Sequence, residues 1–281
     1  MKKLFLLSLL ATALCMSSQR GFAQAKVKEL HKADVDALLA TPEKVLILDV
    51  RSPSEMAAEG TFAVFLNAAV AESDAKAAGL EKHLGDIPKD RAIVAVGGSP
   101  ARAMAAASVL ASHGFKVAGA VSAPAYDTEG GSLTKYQPYK HWSMNGGTPP
   151  PGRTATSARD EAKAYKELHR AEIESLMAAP EKVLVLDVRS PGEIAYWGAF
   201  PVFLDIQSDE GDQAANGIQK HMAEIPKDKP IITVSGRANR SGFAAALLEK
   251  NGFKIVGAIG AMTFGEEGGQ LIKDAPKQAP K

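Results

Sequence analysis

The chain has 281 residues, 46% of them hydrophobic and 23% charged, with 33 Lys and Arg against 32 Asp and Glu. That length suits two domains at roughly 100–200 residues each, and the apolar content is enough for ordinary globular cores. A formal net charge of +1 excludes an electrostatic footprint for nucleic acid or for an anionic membrane surface.

In chain order, Lys2 and Lys3 precede an apolar run from Leu4 to Met16, followed by a polar stretch and Ala23-Gln24-Ala25. A basic start, a short apolar core and a small-x-small site predict a signal peptide over residues 1–25, cleaved after Ala25. The run is too short for a membrane span, which needs about 20 apolar residues. A lipoprotein would use Cys15, but Leu14 stands where the lipid-attachment motif wants a small residue. Cys15 is the only cysteine, so the mature chain has no thiolate nucleophile, no disulfide and no cysteine metal ligand. The expected location is periplasmic or secreted, with no membrane contact after cleavage.

A first domain is predicted over residues 26–135. Its first strand is the apolar run from Lys44 to Val50, and Ala92 to Val96 forms another after a Pro-Lys-Asp turn. A helix follows from Arg102 to His113, stopped by Gly114, and a further strand begins at Phe115. Residues 136–160 read as a linker, because Asn145 to Thr148 and the prolines 149–151 cannot continue a helix or a central strand. Within it, Tyr136, Tyr139 and Trp142 are expected to pack on the first domain, and Ser157 with Glu161 to open a helix.

Residues 161–275 then repeat the first domain. Lys28 to Gly131 aligns without a gap to Lys166 to Gly269, each residue 138 positions after its counterpart. Over the first 28 aligned positions, 19 are identical. This period is far too long for a solenoid unit, so it marks a domain duplication. The second copy has a strand at Pro230 to Val234 and its helix from Arg240 to Asn251 before Gly252. Residues 276–281 are expected to be a disordered tail. Alternating strands and helices predict an α/β fold, a parallel sheet with helices on both faces, and a site beyond the carboxyl ends of the strands.

Both copies carry Leu-Asp-Val-Arg followed by Ser-Pro-x-Glu, at Leu48 to Glu55 and Leu186 to Glu193, with a strand–loop–Arg–helix unit downstream. On these residues the chain resembles the rhodanese family over about three quarters of its length. The resemblance implies two rhodanese-like domains, each a parallel sheet of about five strands flanked by helices. It also implies a loop reading Cys-x-x-Gly-x-Arg, whose cysteine carries a persulfide. Successive backbone N–H groups and a helix N-terminus make such a loop an anion cradle, and the arginine adds charge-assisted hydrogen bonds.

Five residues before Arg240 stands Ser235, and five before Arg102 stands Gly97. Serine cannot hold sulfane sulfur and glycine has no side chain, so no catalytic residue is assigned and sulfurtransferase activity is not expected. The family's Gly-His-Ile-Pro-Gly-Ala segment is also absent, since the chain reads Gly60 to Phe65 and Gly198 to Phe203 there, without histidine. The second loop, Ser235, Gly236, Arg237, Ala238, Asn239, Arg240 and Ser241, is the candidate anion site. The first, Gly97, Gly98, Ser99, Pro100, Ala101 and Arg102, reads as degenerate, because Pro100 removes a donor and Ala101 replaces Asn239.

The resemblance implies that Asp49, Arg51, Asp187 and Arg189 support these loops through ion pairs and hydrogen bonds. Ser235 has no adjacent base in the motif, His31 and His169 read as solvent-facing, and the histidines have no metal-ligand spacing. The expected role is therefore binding, without cofactor or metal. The ligands considered are a small oxyanion (thiosulfate, sulfate or phosphate) and an envelope protein partner. The alternative is a sulfurtransferase- or phosphatase-like enzyme working on a sulfur or phosphorus oxyanion at the second loop.

Overall fold

The computed structural model describes residues 27–135, 165–208 and 216–273. The expected signal peptide, the linker with its three aromatic residues, the helix start at Ser157 and the tail lie outside them. In the first half, α1 (Lys32–Leu39) leads into β1 (Val45–Asp49), α2 (Pro53–Glu59) and β2 (Phe65–Asn67). Then come β3 (Ala92–Gly97), α3 (Pro100–Ser112), β4 (Val117–Ser122) and α4 (Ala123–Thr128). The second half repeats the order with α5 (Arg170–Met177), β5 (Leu184–Asp187), α6 (Pro191–Trp197), β6 (Phe203–Asp205), α7 (Asn216–Lys220), β7 (Ile231–Ser235), α8 (Asn239–Lys250), β8 (Ile255–Gly260) and α9 (Ala261–Glu266).

Each half contributes four parallel strands. The expected fifth is reduced to a one-residue parallel bridge, Glu29 to Ala120 in the first half and Glu167 to Ala258 in the second. The two sets join edge to edge into one eight-stranded sheet, ordered β4-β3-β1-β2-β6-β5-β7-β8. The joint is antiparallel. Phe65 lies opposite Asp205, Leu66 opposite Leu204, and Asn67 opposite Phe203, so residues 138 apart exchange places about Leu66 and Leu204. The same exchange recurs outside the sheet, where Arg91 Nη1 donates to the Glu224 carbonyl (2.8 Å) and Lys229 Nζ to that of Asp86 (3.4 Å). Such reciprocity is the mark of a two-fold axis.

Strands buried on both faces read as continuous apolar runs, and β1 is buried at every position. Leu46 and Leu48 face a core that includes Ala106 and Leu110 of α3 and Ala244 and Leu248 of α8. Val45 and Ile47 face the opposite core, with Val35, Met56 and Tyr126. Both cores run across the joint into the second half, where α6 lies against α2. Parallel strands place the loops after β3 and β7 at the carboxyl ends of the strands in each half.

Candidate functional site

The loops form around buried ion pairs. Asp49 ends β1, and the guanidinium of the fully buried Arg51 folds back on it, with Nη2 donating at 2.6 Å and Nε at 3.0 Å. Arg51 Nη2 also donates to the Gly60 carbonyl (3.0 Å), at the end of α2 where φ is +91° and a side chain would be strained. Asp187, Arg189 and Gly198 repeat this at 2.6, 2.9 and 3.0 Å. These four residues therefore tie strand ends to helix ends in both halves.

A second buried pair joins Glu55 of the Ser-Pro-x-Glu motif to Arg102 of the first loop. Glu55 caps α2 by accepting from the Ser52 backbone N–H (2.9 Å) and also takes both terminal nitrogens of Arg102 at 2.9 Å. Burial opposes ionisation of this carboxyl, but Arg102 and the Ser52 N–H outweigh it and hold Glu55 down at about 2. In the second half Arg240 grips Glu193 in the same bidentate way, and its Nη1 also donates to the carbonyls of Ser208 (3.0 Å) and Val188 (3.5 Å). Thus the loop arginine of each half pairs with a carboxylate of its own domain, and Arg240, a member of the candidate anion loop, is engaged there. A clue lay in the glutamate of Ser-Pro-x-Glu in both copies.

The two loops differ in how their helices begin. In the first, α3 starts at Pro100 and Ser99 is its cap, with Oγ accepting from the Arg102 N–H (3.4 Å) and the carbonyl accepting from the Ala103 N–H (3.1 Å). This brings the helix so close to Gly97 that a Cβ there would lie 2.7 Å from the Ala103 nitrogen. No side chain fits at the position that the family gives to cysteine. In the second, α8 starts at Asn239, one aligned position later, and Ala238 precedes it with φ +59° and no capping side chain. Arg237 and Asn239 are exposed, and a Cβ on Gly236 would meet only Met262 Sδ, at 4.0 Å.

Ser235 is buried and lies within a hydrogen-bond chain. Ser241 Oγ donates to the Ile259 carbonyl (3.1 Å), so the 3.1 Å contact between the two hydroxyls is one in which Ser235 donates. His31 and His169 cap α1 and α5, largely exposed as expected, and pair with Glu129 (2.8 Å) and Glu267 (2.6 Å). Among the described residues no group of His, Cys, Asp and Glu is placed to hold a metal ion, and no helix is long and apolar enough to cross a membrane.

This is a mixed α/β fold, one mostly parallel sheet flanked by helices with a strand–loop–helix unit in each half. Residues 169–259 match the model of the rhodanese-like domain. No curated protein matches the chain. Among solved structures, a thiosulfate sulfurtransferase from Pseudomonas aeruginosa is 15% identical at a TM-score of 0.32. The alignment covers 89% of this chain and 46% of that one, so the chain spans less than half of that protein's length. A rhodanese-related protein from Thermoplasma volcanium is 23% identical (TM-score 0.33), covering 39% of this chain and all of that one. A Rhodopseudomonas palustris protein of unknown function, described as a possible tyrosine phosphatase, is also 23% identical (TM-score 0.34), covering 45% of this chain and all of that one.

Proposed function

We propose that the chain is an exported tandem rhodanese-homology protein without sulfurtransferase activity, and that it binds a small oxyanion at the loop from Ser235 to Ser241. The observation that carries this reading is the contrast between the loops. The first caps its own helix through Ser99, whereas the second leaves the N-terminus of a 12-residue helix without a side-chain cap, beside the exposed Arg237 and Asn239. Helix N-termini attract anions through their N–H groups and the macrodipole. Thiosulfate, sulfate and phosphate suit it by size and charge, and an envelope protein that presents an acidic group to the same loop is the partner to look for.

The test is a thermal-shift titration of the mature protein with thiosulfate, sulfate, sulfite and phosphate. A ligand at a hundredfold excess over its Kd stabilises the folded state by about 2.7 kcal/mol. A saturable shift that weakens in Arg237→Ala is the expected result. Absence of a shift with every anion overturns the reading. Arg240→Ala is unsuitable, because it strips Glu193 of its partner and changes stability directly. Export is tested by the mass of the native protein, expected to begin at Lys26.

The enzymatic alternative needs a nucleophile at the second loop. The donation of the Ser235 hydroxyl to Ser241, and its burial, support the binding reading instead. Thiosulfate:cyanide sulfur transfer by the purified protein, or ester turnover lost in Ser235→Ala, would establish the alternative.

A further inference from the structure

We propose that the cavity at the amino end of β5, between the two halves, binds a small monocarboxylate with a compact apolar body. The two-fold axis gives the joint two equivalent flanks, and their side chains differ. On one, Met222–Glu224 packs against Pro42–Lys44. On the other, Lys82, His83 and Asp86 face Met177, Pro180 and Val202 across a cavity of about 210 Å³. Its walls come from Met177, Val183, Val185 and Val202 of the second half, and its rim from Lys82, His83 and Asp86 of the first.

Volume and lining set the body of the ligand. An apolar cavity of about 150 Å³ stays dry and accepts benzene, so this one accommodates a body somewhat larger, a substituted ring or a branched aliphatic chain. The rim sets the charge. Asp86, the only acidic side chain lining the cavity among the described residues, pairs with His83 at 3.5 Å, and both are largely buried. Lys82 is exposed and forms no ion pair among the described residues, so the available charge at the mouth is positive. A carboxylate there meets Lys82 and the His83 ring while its apolar end covers the half-buried Val202 and Met177. This site is at the opposite end of the sheet from the loop after β7, because β5 and β7 run parallel. It does not depend on what that loop binds.

Benzoate is the probe, with benzylamine as its charge-reversed counterpart. Amide chemical shifts of the full chain are followed during titration. Saturable benzoate binding confined to residues 82–86 and 177–202 is expected, with benzylamine binding much more weakly. Lys82→Glu is expected to weaken benzoate at least about threefold, the scale of an exposed ion pair. Val202→Phe is expected to abolish binding by filling the cavity, whereas Arg237→Ala is expected to leave it unchanged. The proposal is overturned if benzoate does not saturate, if benzylamine binds equally well, or if a folded Lys82→Glu protein binds benzoate as the wild type does. Lys82 is a surface residue, so that last comparison stands even if Val202→Phe fails to fold.

Discussion

Asn67 and Asp205 hold equivalent places in the two halves, opposite Asp49 and Asp187 in their sheets. Asn67 Nδ2 donates to the carbonyls of Asp49 (2.9 Å) and Arg51 (2.8 Å), whereas neither oxygen of the fully buried Asp205 has a hydrogen-bond partner among the described residues. Burial pushes the Asp205 carboxyl well above its ordinary value, and Asp187 pushes it further, with Arg189 opposing. A carboxyl whose folded value is raised is fully stabilising below its unfolded value and costs stability as pH rises through the folded one. Asp205→Asn restores the donor. It is expected to raise Tm near neutral pH, and the wild type is expected to approach the variant as pH falls; parallel pH profiles of the two would refute this.

Glu55 has the reverse sign. With its carboxyl held at about 2, the pair with Arg102 contributes stability above the ordinary carboxylate range that is lost as pH falls towards that value. Glu55→Gln leaves a nearly buried guanidinium without its counter-charge and is expected to cost about 3 kcal/mol in urea unfolding at neutral pH, much less at acid pH. The buried Asp–Arg pairs were legible from the Asp-Val-Arg motif. The roles of Asn67 and Asp205 were not, since they depend on how β2 and β6 register against strands 18 residues away.

The helix starts after β3 and β7 show how one aligned position changes an element. Ser99→Ala removes the side-chain cap of α3 and is expected to lower stability by about 1 kcal/mol. Ala238 is in the left-handed region at a cost of about 1 kcal/mol, so Ala238→Gly is expected to be neutral or slightly stabilising by thermal melting, despite the greater freedom of glycine in the unfolded chain. A clear loss of Tm in Ala238→Gly would contradict this account. The long apolar strands were readable because a strand buried on both faces leaves no alternation to confuse. The helices start one or two residues earlier than the sequence indicated, where Ser99-Pro100 and Ala238 set the boundary. The three-residue β2 and β6 left too little pattern to be recognised as strands.

At the scale of the molecule, the gapless repeat at a 138-residue offset was plain in the sequence, but the single sheet was not. Edge pairing of β2 with β6 is a contact across 138 residues, and neither Phe-Leu-Asn nor Phe-Leu-Asp announces its partner. Because both cores cross this joint, the halves are expected to unfold together. Leu204→Ala is expected to lower the stability of the whole by about 2–5 kcal/mol while circular dichroism and fluorescence transitions continue to coincide. Two separated transitions would show that the halves melt independently.

The reciprocal pairing about Leu66 and Leu204 has the form of a dimer interface written within one chain. Two free copies of one half would find each other only at a rate and population set by their concentration. Within one chain the same encounter is intramolecular and does not depend on protein concentration. Each copy is then released from the need to suit an identical partner. A substitution on one side of the axis, such as Asp205 for Asn67 or Gly85 opposite Ala223, appears once in the assembly instead of twice, and its cost is halved. A fused dimer of this kind can make its two flanks and its two loops unlike each other while the strands that join them stay the same.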